Sequence, residues 1–276
     1  MTGWQLKPGR KKKGLKMIFE THAHYDDEIF DPDREELLSE KLKGSGIEVI
    51  VNVASDASSV DSSDELSRKY PNVYAALGLH PSDIRDLSEE MLMHIEKLAK
   101  NNEKVRAVGE IGLDYHYGKD DILEQKKGFV RQIELAKELS LPIIVHSREA
   151  SRDTMEIIKD HYSDKRDCIN GVIHCFSYSS EDAFKYIDLG FVIGVGGVVT
   201  YKNGKKLKEV VKEIPLEKIV VETDCPYLAP EPHRGERNTS LNLPFIIQAI
   251  AEIKETSEEE VEHITFETAG KLYRIA

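Results

Sequence analysis

The chain has 276 residues, of which 40% are hydrophobic and 32% charged, and its net charge is −12. No apolar run approaches the roughly 18 residues of a membrane span, and the acidic excess argues against a protein that coats nucleic acid. It remains compatible with an enzyme that meets phosphate groups one at a time at a local site.

The first sixteen residues are basic and contain no acidic residue. They lack the apolar stretch of roughly 7–15 residues that a secretory signal requires. We expect residues 1–16 to form a disordered extension, with a nucleic-acid-binding arm as the alternative, and residues 17–276 to form a single domain. The sparse, odd set of cysteines favours a reducing cytoplasm; it comprises Cys168, Cys175 and Cys225.

From residue 17 onward, short apolar runs alternate with amphipathic stretches. Several runs are almost continuously apolar, which is typical of parallel strands covered on both faces. In chain order, the predicted strands are 17–24, 47–54, 73–79, 105–112, 141–146, 169–174, 191–196 and 218–224. The stretches between them, such as 122–140, carry the apolar spacing of amphipathic helices.

This alternation predicts an α/β fold, a (β/α)8 TIM barrel with an extra C-terminal helix at about 257–274 packed outside the barrel. The alternative is an open sheet with nucleotide chemistry. Its usual fingerprint, a GxGxxG that opens a helix, is absent, because Gly194, Gly196 and Gly197 lie within or just after a predicted strand.

Polar residues stand repeatedly where the predicted strands end, and in such barrels these ends form the active-site face. His22 and His24 are two residues apart, so on a strand both point to the same face. Glu110 lies in an apolar run, where metal coordination or a salt bridge to an arginine such as Arg148 would offset its burial. The candidate ligands suffice for two divalent ions: His22, His24, Glu110, His146, His174 and Asp224.

Other polar residues have two open interpretations each. Glu222 could orient a metal ligand, or it could bind the backbone or a lysine. Arginines near the predicted mouth could grip phosphate oxygens or form surface ion pairs; they are Arg148, Arg234 and Arg237. His80 could hydrogen-bond substrate or fix a loop.

Several segments resemble the TatD family of metal-dependent deoxyribonucleases. In chain order, they are IFETHAHYDD, GLHP, GEIGLDYH, PIIVHSREA, IHCFS, ETDCPYLAP and PHRGERN. The resemblance implies a metallo-hydrolase barrel in which His22, His24, Glu110 and Asp224 hold one metal. Glu110 would bridge to a second metal that is held by Glu110, His146 and His174. The sequence departs from the family at Glu20, where Asp is usual, and at Tyr178, where Gly is common.

We therefore expect a deoxyribonuclease, an exonuclease acting on single-stranded DNA ends, in which water activated by two metals attacks the phosphodiester. Glu110 and Asp224 would be the catalytic residues, with Asp224 also accepting a proton, and His80, Arg148 and Arg234 would bind substrate. Magnesium is the expected cofactor, with zinc or manganese as alternatives, and no membrane or obligate protein partner is expected. Two alternatives stay open: an amidohydrolase-type enzyme that cleaves C–N or lactone bonds, and a non-catalytic barrel scaffold.

Overall fold

Eight parallel strands form one sheet whose order follows the chain from β1 to β8. The strands are β1 Ile18–Ala23, β2 Ile47–Val53, β3 Val73–Leu77, β4 Val105–Asp114, β5 Ile143–Arg148, β6 Gly171–Ile173, β7 Phe191–Val195 and β8 Ile219–Val221. This computed structural model describes residues 17–116, 118, 121–163 and 168–275. The extension expected at residues 1–16 lies outside the described residues.

The sheet closes between its first and last strands. Ala23 forms a parallel bridge with Cys225, and the His24 N–H donates to the Cys225 carbonyl at 2.8 Å. The Asp224 N–H donates to the His22 carbonyl at 3.0 Å. The predicted TIM barrel is therefore confirmed, and each predicted strand agrees with the observed one to within about three residues.

Helices alternate with the strands and cover the barrel. They are α1 Arg34–Glu36, α2 Ala57–Lys69, α3 Glu89–Asn101, α4 Ile122–Glu138, α5 Ser151–His161, α6 Ser180–Asp188, α7 Lys205–Glu213, α8 Leu243–Lys254 and α9 Glu258–Tyr273. Across the described part of the chain, every helix is too short or too polar to cross a membrane.

The last helix, α9, packs against one end of the barrel. One buried cluster takes side chains from all eight strands, and Ala269, Leu272 and Tyr273 of α9 belong to it. The Tyr273 ring stacks on Phe19, near the start of β1, at 5.7 Å between ring centroids. The helix therefore closes the amino-terminal end of the barrel and leaves the opposite end for a site.

Gly112 is a position in β4 where a side chain cannot be accommodated. It pairs with His146 of β5, its φ is +145°, and an added Cβ would lie 1.9 Å from the His146 carbonyl oxygen. Because the clashing atom belongs to the backbone, a side-chain rotation cannot relieve the contact.

We predict that Gly112→Ala lowers the free energy of unfolding by roughly 3 kcal/mol or more, through backbone strain and this clash. Gly44→Ala is the matched control, because Gly44 also has a positive φ, +81°, but nothing lies within 4 Å of its added Cβ. It should cost only about 1–2 kcal/mol. Thermal unfolding of both variants checks the difference, and equal losses would contradict it.

Candidate metal centre

All six residues that the sequence nominates as ligands converge at the carboxyl-terminal end of the barrel. They come from β1, β4, β5 and the segments directly after β1, β6 and β8. Their nitrogen and oxygen atoms form two groups, which we call the first and the second donor set and define below. Glu110 belongs to both.

The first donor set consists of His22 Nε2, His24 Nε2, Asp224 Oδ1 and Glu110 Oε2. The two histidine nitrogens lie 3.1 Å apart, and Asp224 Oδ1 is 3.4 Å from His24 Nε2 and 3.7 Å from His22 Nε2. Glu110 Oε2 lies 3.5 Å from His22 Nε2 and 3.8 Å from His24 Nε2. Ligands held at about 2.0–2.2 Å around one tetrahedral ion are about 3.4 Å apart, so these spacings fit a single cation.

The second donor set consists of Glu110 Oε1, His146 Nδ1 and His174 Nε2. Glu110 Oε1 lies 2.8 Å from His146 Nδ1 and 2.9 Å from His174 Nε2. The two oxygens of one carboxylate therefore face two different groups of imidazoles. This is the arrangement that a bridging carboxylate between two cations requires.

Among the described residues, three groups of three side chains each bring one potential ligand atom per residue to within 4.8 Å of the others. These trios are His22 with His24 and Asp224, His22 with Glu110 and His174, and His80 with Glu110 and His146. In the expected set of Glu110, His146 and His174, both histidines lie close to the same oxygen, Glu110 Oε1. The two histidines nevertheless belong to different trios. His80 is the additional residue that the structure brings to this end of the cluster.

Electrostatic compensation within the cluster is strong. Burial alone would raise the pKa of Glu110, but His174, His146 and His22 outweigh it and hold that pKa well below its usual range. Burial would also lower the pKa of His24, yet Asp224 and Glu110 raise it to about 9. The carboxylates thus attract positive charge, which protons or metal ions can supply on the same nitrogen atoms.

For His24 and His146, a hydrogen-bond partner outside the two donor sets determines which ring nitrogen faces the cluster. His24 Nδ1 lies 2.7 Å from the Val53 carbonyl oxygen, which can only accept, so Nε2 carries the lone pair in the neutral ring. His146 Nε2 lies 3.0 Å from Asp114 Oδ2, which leaves Nδ1 to face Glu110. Such partners orient metal-ligating histidines and raise their basicity.

Asp114 is a functional candidate that sequence reasoning missed. Its side chain is buried and accepts the backbone N–H of His116 as well as facing His146. The signal was present in the sequence, because Asp114 stands four residues after Glu110, and alternate strand residues share a face.

Of the two interpretations left open for Glu222, the contact with the backbone is the one that the hydrogen bonds support. Its Oε1 accepts the backbone N–H of Cys175 at 2.5 Å and lies 3.5 Å from His174 Nδ1, at the limit of hydrogen-bond range. Gly194 makes room for this carboxylate, since a Cβ there would lie 2.5 Å from Glu222 Oε2.

Glu20, the departure from the family's usual Asp, ties β1 to the segment after β8. It accepts hydrogen bonds from the Thr223 N–H at 2.8 Å and the Thr223 hydroxyl at 2.6 Å, and from the His22 N–H at 3.3 Å. Burial nevertheless raises its pKa to about 8. The glutamate side chain, which is longer than the usual aspartate, thus fixes the backbone next to His22 and Asp224.

His80 reaches the cluster in one defined tautomer. Its Nδ1 accepts the Ser82 N–H at 3.1 Å, and burial lowers its pKa to about 4, so the neutral ring carries its proton on Nε2. Nε2 lies 4.0 Å from Glu110 Oε1. His80 therefore presents a hydrogen-bond donor to the cluster instead of a metal-binding lone pair.

The candidate arginines differ in their surroundings. Arg148 ends β5 and is exposed, and the exposed Arg234 places its guanidinium 4.4 Å from the centroid of the Tyr201 ring. Arg237 forms a bidentate pair with Asp33, at 2.8 Å and 2.5 Å. That pair supports the interpretation of Arg237 as a structural ion pair.

Comparisons with known proteins agree with this architecture. The family described as TatD related DNase matches residues 19–274. The chain is 44% identical to YabD, a metal-dependent hydrolase of Bacillus subtilis, over 94% of this chain and 100% of the relative. It is 33% identical to YcfH, a metal-dependent hydrolase of Escherichia coli, over 94% and 96% of the two chains.

A solved structure shows the same fold. YjjV, a TatD homologue from Escherichia coli, has a TM-score of 0.87 and 29% identity, and the match covers 95% of this chain and 100% of that chain. The match to the family spans almost the whole described barrel, and the relatives are metal-dependent hydrolases. The chain therefore belongs to the TatD family and is a metal-dependent hydrolase.

Proposed function

We propose that the chain hydrolyses DNA phosphodiester bonds as an exonuclease on single-stranded ends, with two divalent cations. The observation that carries this proposal is the position of Glu110, whose two oxygens face separate donor sets. The family's description as DNase supports the choice of substrate.

In this proposal, His22, His24, Glu110 and Asp224 hold the first cation, and Glu110, His146 and His174 hold the second. Magnesium is the proposed working ion, with manganese and zinc as the alternatives that imidazole ligands accept. When bound, the cations would activate water and offset negative charge on the phosphate.

Asp224 is proposed as the proton acceptor and Glu110 as the bridge. The Asp224 side chain is 16% exposed, whereas that of Glu110 is 5% exposed, so Asp224 is the carboxylate that incoming water and substrate can reach. Burial would raise the pKa of Asp224, but the hydrogen bond with His24 and the charges of nearby imidazoles lower it. The side chain is therefore ionised near neutral pH, as a proton acceptor must be.

His80 is proposed to bind a phosphate oxygen. Its ring nitrogen Nε2 carries a proton and faces the second donor set, where it can donate to an oxygen of the substrate without competing for a cation. Arg148 and Arg234 are proposed to grip phosphate oxygens farther along the strand, where guanidinium groups can form paired hydrogen bonds.

The substrate class can be tested directly with purified protein. We predict turnover of single-stranded DNA and bis-p-nitrophenyl phosphate with Mg²⁺ or Mn²⁺, and slower turnover of RNA and cyclic amides. End-labelled oligonucleotides would show whether products shorten from one end. Amide hydrolysis without phosphodiester hydrolysis would replace the proposed function with cleavage of C–N bonds.

The bridging role of Glu110 gives a second prediction. Glu110→Gln removes one negative charge that both cations would share, so it should abolish binding of at least one cation and lower kcat at least about a hundredfold. Calorimetric titration with Mn²⁺ and phosphodiester assays check both effects. Unchanged cation stoichiometry and turnover would place the site elsewhere.

Asp114 gives a third prediction, which separates orientation of a ligand from coordination. Asp114→Asn removes the charged partner of His146 and should weaken cation binding roughly 10–100-fold. Asp64→Asn is the matched control, because Asp64 is similarly buried but pairs with Arg68 on α2. Calorimetry with Mn²⁺ should show a change in the first variant alone, and equal affinities in both would exclude the orienting role.

A further inference from the structure

Tyr227 presents an open aromatic ring at the rim of the metal centre. It lies three residues beyond Asp224, and 54% of the residue is exposed. Its ring centroid is 6.3 Å from that of His24, a member of the first donor set, with the two planes 62° apart. The ring thus borders the place where a scissile phosphate would bind.

The ring is held in position although it is exposed. The Tyr227 hydroxyl donates to Asp27 Oδ2 at 3.0 Å, its backbone N–H donates to the Asp224 carbonyl at 2.9 Å, and its carbonyl accepts the Asn238 side-chain amide at 2.7 Å. A tyrosine anchored at its backbone and at its hydroxyl loses little conformational entropy when a ligand covers its face. It is therefore pre-organised for binding.

The charges around the ring select the kind of group that can cover it. Asp27 accepts the hydrogen bond of the Tyr227 hydroxyl, so a phosphate group placed at that edge of the ring would be repelled by the carboxylate. A flat, uncharged group that can lie on an aromatic face suits this position.

We propose that Tyr227 forms the floor of a nucleobase subsite, on which the base next to the scissile phosphate stacks. This inference rests on the proposed nuclease function and adds how the strand is held. Stacking on an aromatic side chain tolerates every base. It also favours single strands, because a base in a duplex is already stacked and paired.

The test compares the loss of the ring with the loss of the base. Wild type, Tyr227→Leu and Tyr227→Phe are assayed on a short single-stranded oligonucleotide and on two analogues. Each analogue carries an abasic tetrahydrofuran unit on one side of the cleaved bond. For the intact oligonucleotide, Tyr227→Leu should raise KM roughly tenfold with little change in kcat, and Tyr227→Phe should stay near wild type.

On one of the two abasic substrates, wild type and Tyr227→Leu should have the same KM, because no base remains to stack. Equal losses on the intact and both abasic substrates would overturn the subsite. A loss in Tyr227→Phe as large as that in Tyr227→Leu would overturn it too, since the hydroxyl would then be the important group.

Two controls separate stacking from other effects. Phe184→Leu removes another exposed aromatic ring, on the outer helix α6, and should leave KM unchanged on every substrate. Calorimetry with Mn²⁺ should give wild-type affinity for Tyr227→Leu, and a parallel loss of cation binding would show that the ring only supports His24. Wild type that cleaves none of the oligonucleotides would instead overturn the proposed function.

Discussion

The buried carboxylate of Glu110 is the constraint on which the rest of the site depends. Moving such a charge out of water costs several kcal/mol unless opposite charge and hydrogen bonds compensate. Here the compensation comes from imidazoles, with His146 and His174 within 2.9 Å of one oxygen and His22 within 3.5 Å of the other. Residues of β1, β5 and the segment after β6 are thus arranged around this one group.

The imidazoles around the Glu110 carboxylate do not take up protons independently of one another. The rings of His22 and His174 stack with centroids 3.9 Å apart, so positive charge on one disfavours positive charge on the other. Burial and His174 lower the pKa of His22, whereas that of His174 is raised by Glu110 and Glu222 against the effect of burial. A divalent cation places its charge between the donors and lets both rings remain neutral, which is the physical reason that this cluster suits metal ions.

The sequence predicted the fold and the convergence of the candidate ligands because both follow from short-range patterns. Strand length, strand order and the position of His22, His24 and Glu110 relative to strand ends can be inferred from the alternation of apolar runs. The choice of ring nitrogen could not be inferred, since His146 is turned by Asp114 and His24 by the Val53 carbonyl. Those contacts join different strands and depend on register.

Long-range pairing explains the other differences. Arg237 was a candidate for gripping phosphate because it lies near the predicted mouth, but its partner Asp33 comes 204 residues earlier in the chain. The apolar face of α9 could be predicted, whereas its position across the amino-terminal end of the barrel depends on Phe19 in β1. In both cases, the residues next to Arg237 or within α9 do not indicate which distant part of the chain will be the partner.

The acidic character of the chain has a consequence for how a nucleic acid could be held. With a net charge of −12, long-range attraction to a polyanion is weak, so binding depends on contacts at the site itself. The cations would neutralise the phosphate under attack, while Asp27, which accepts the hydrogen bond of the Tyr227 hydroxyl, disfavours a second phosphate there. Affinity for a strand must then come from uncharged contacts and from the arginines on other parts of the rim. Such a division would place the uncharged contact next to the cleaved bond and the arginine contacts farther along the strand.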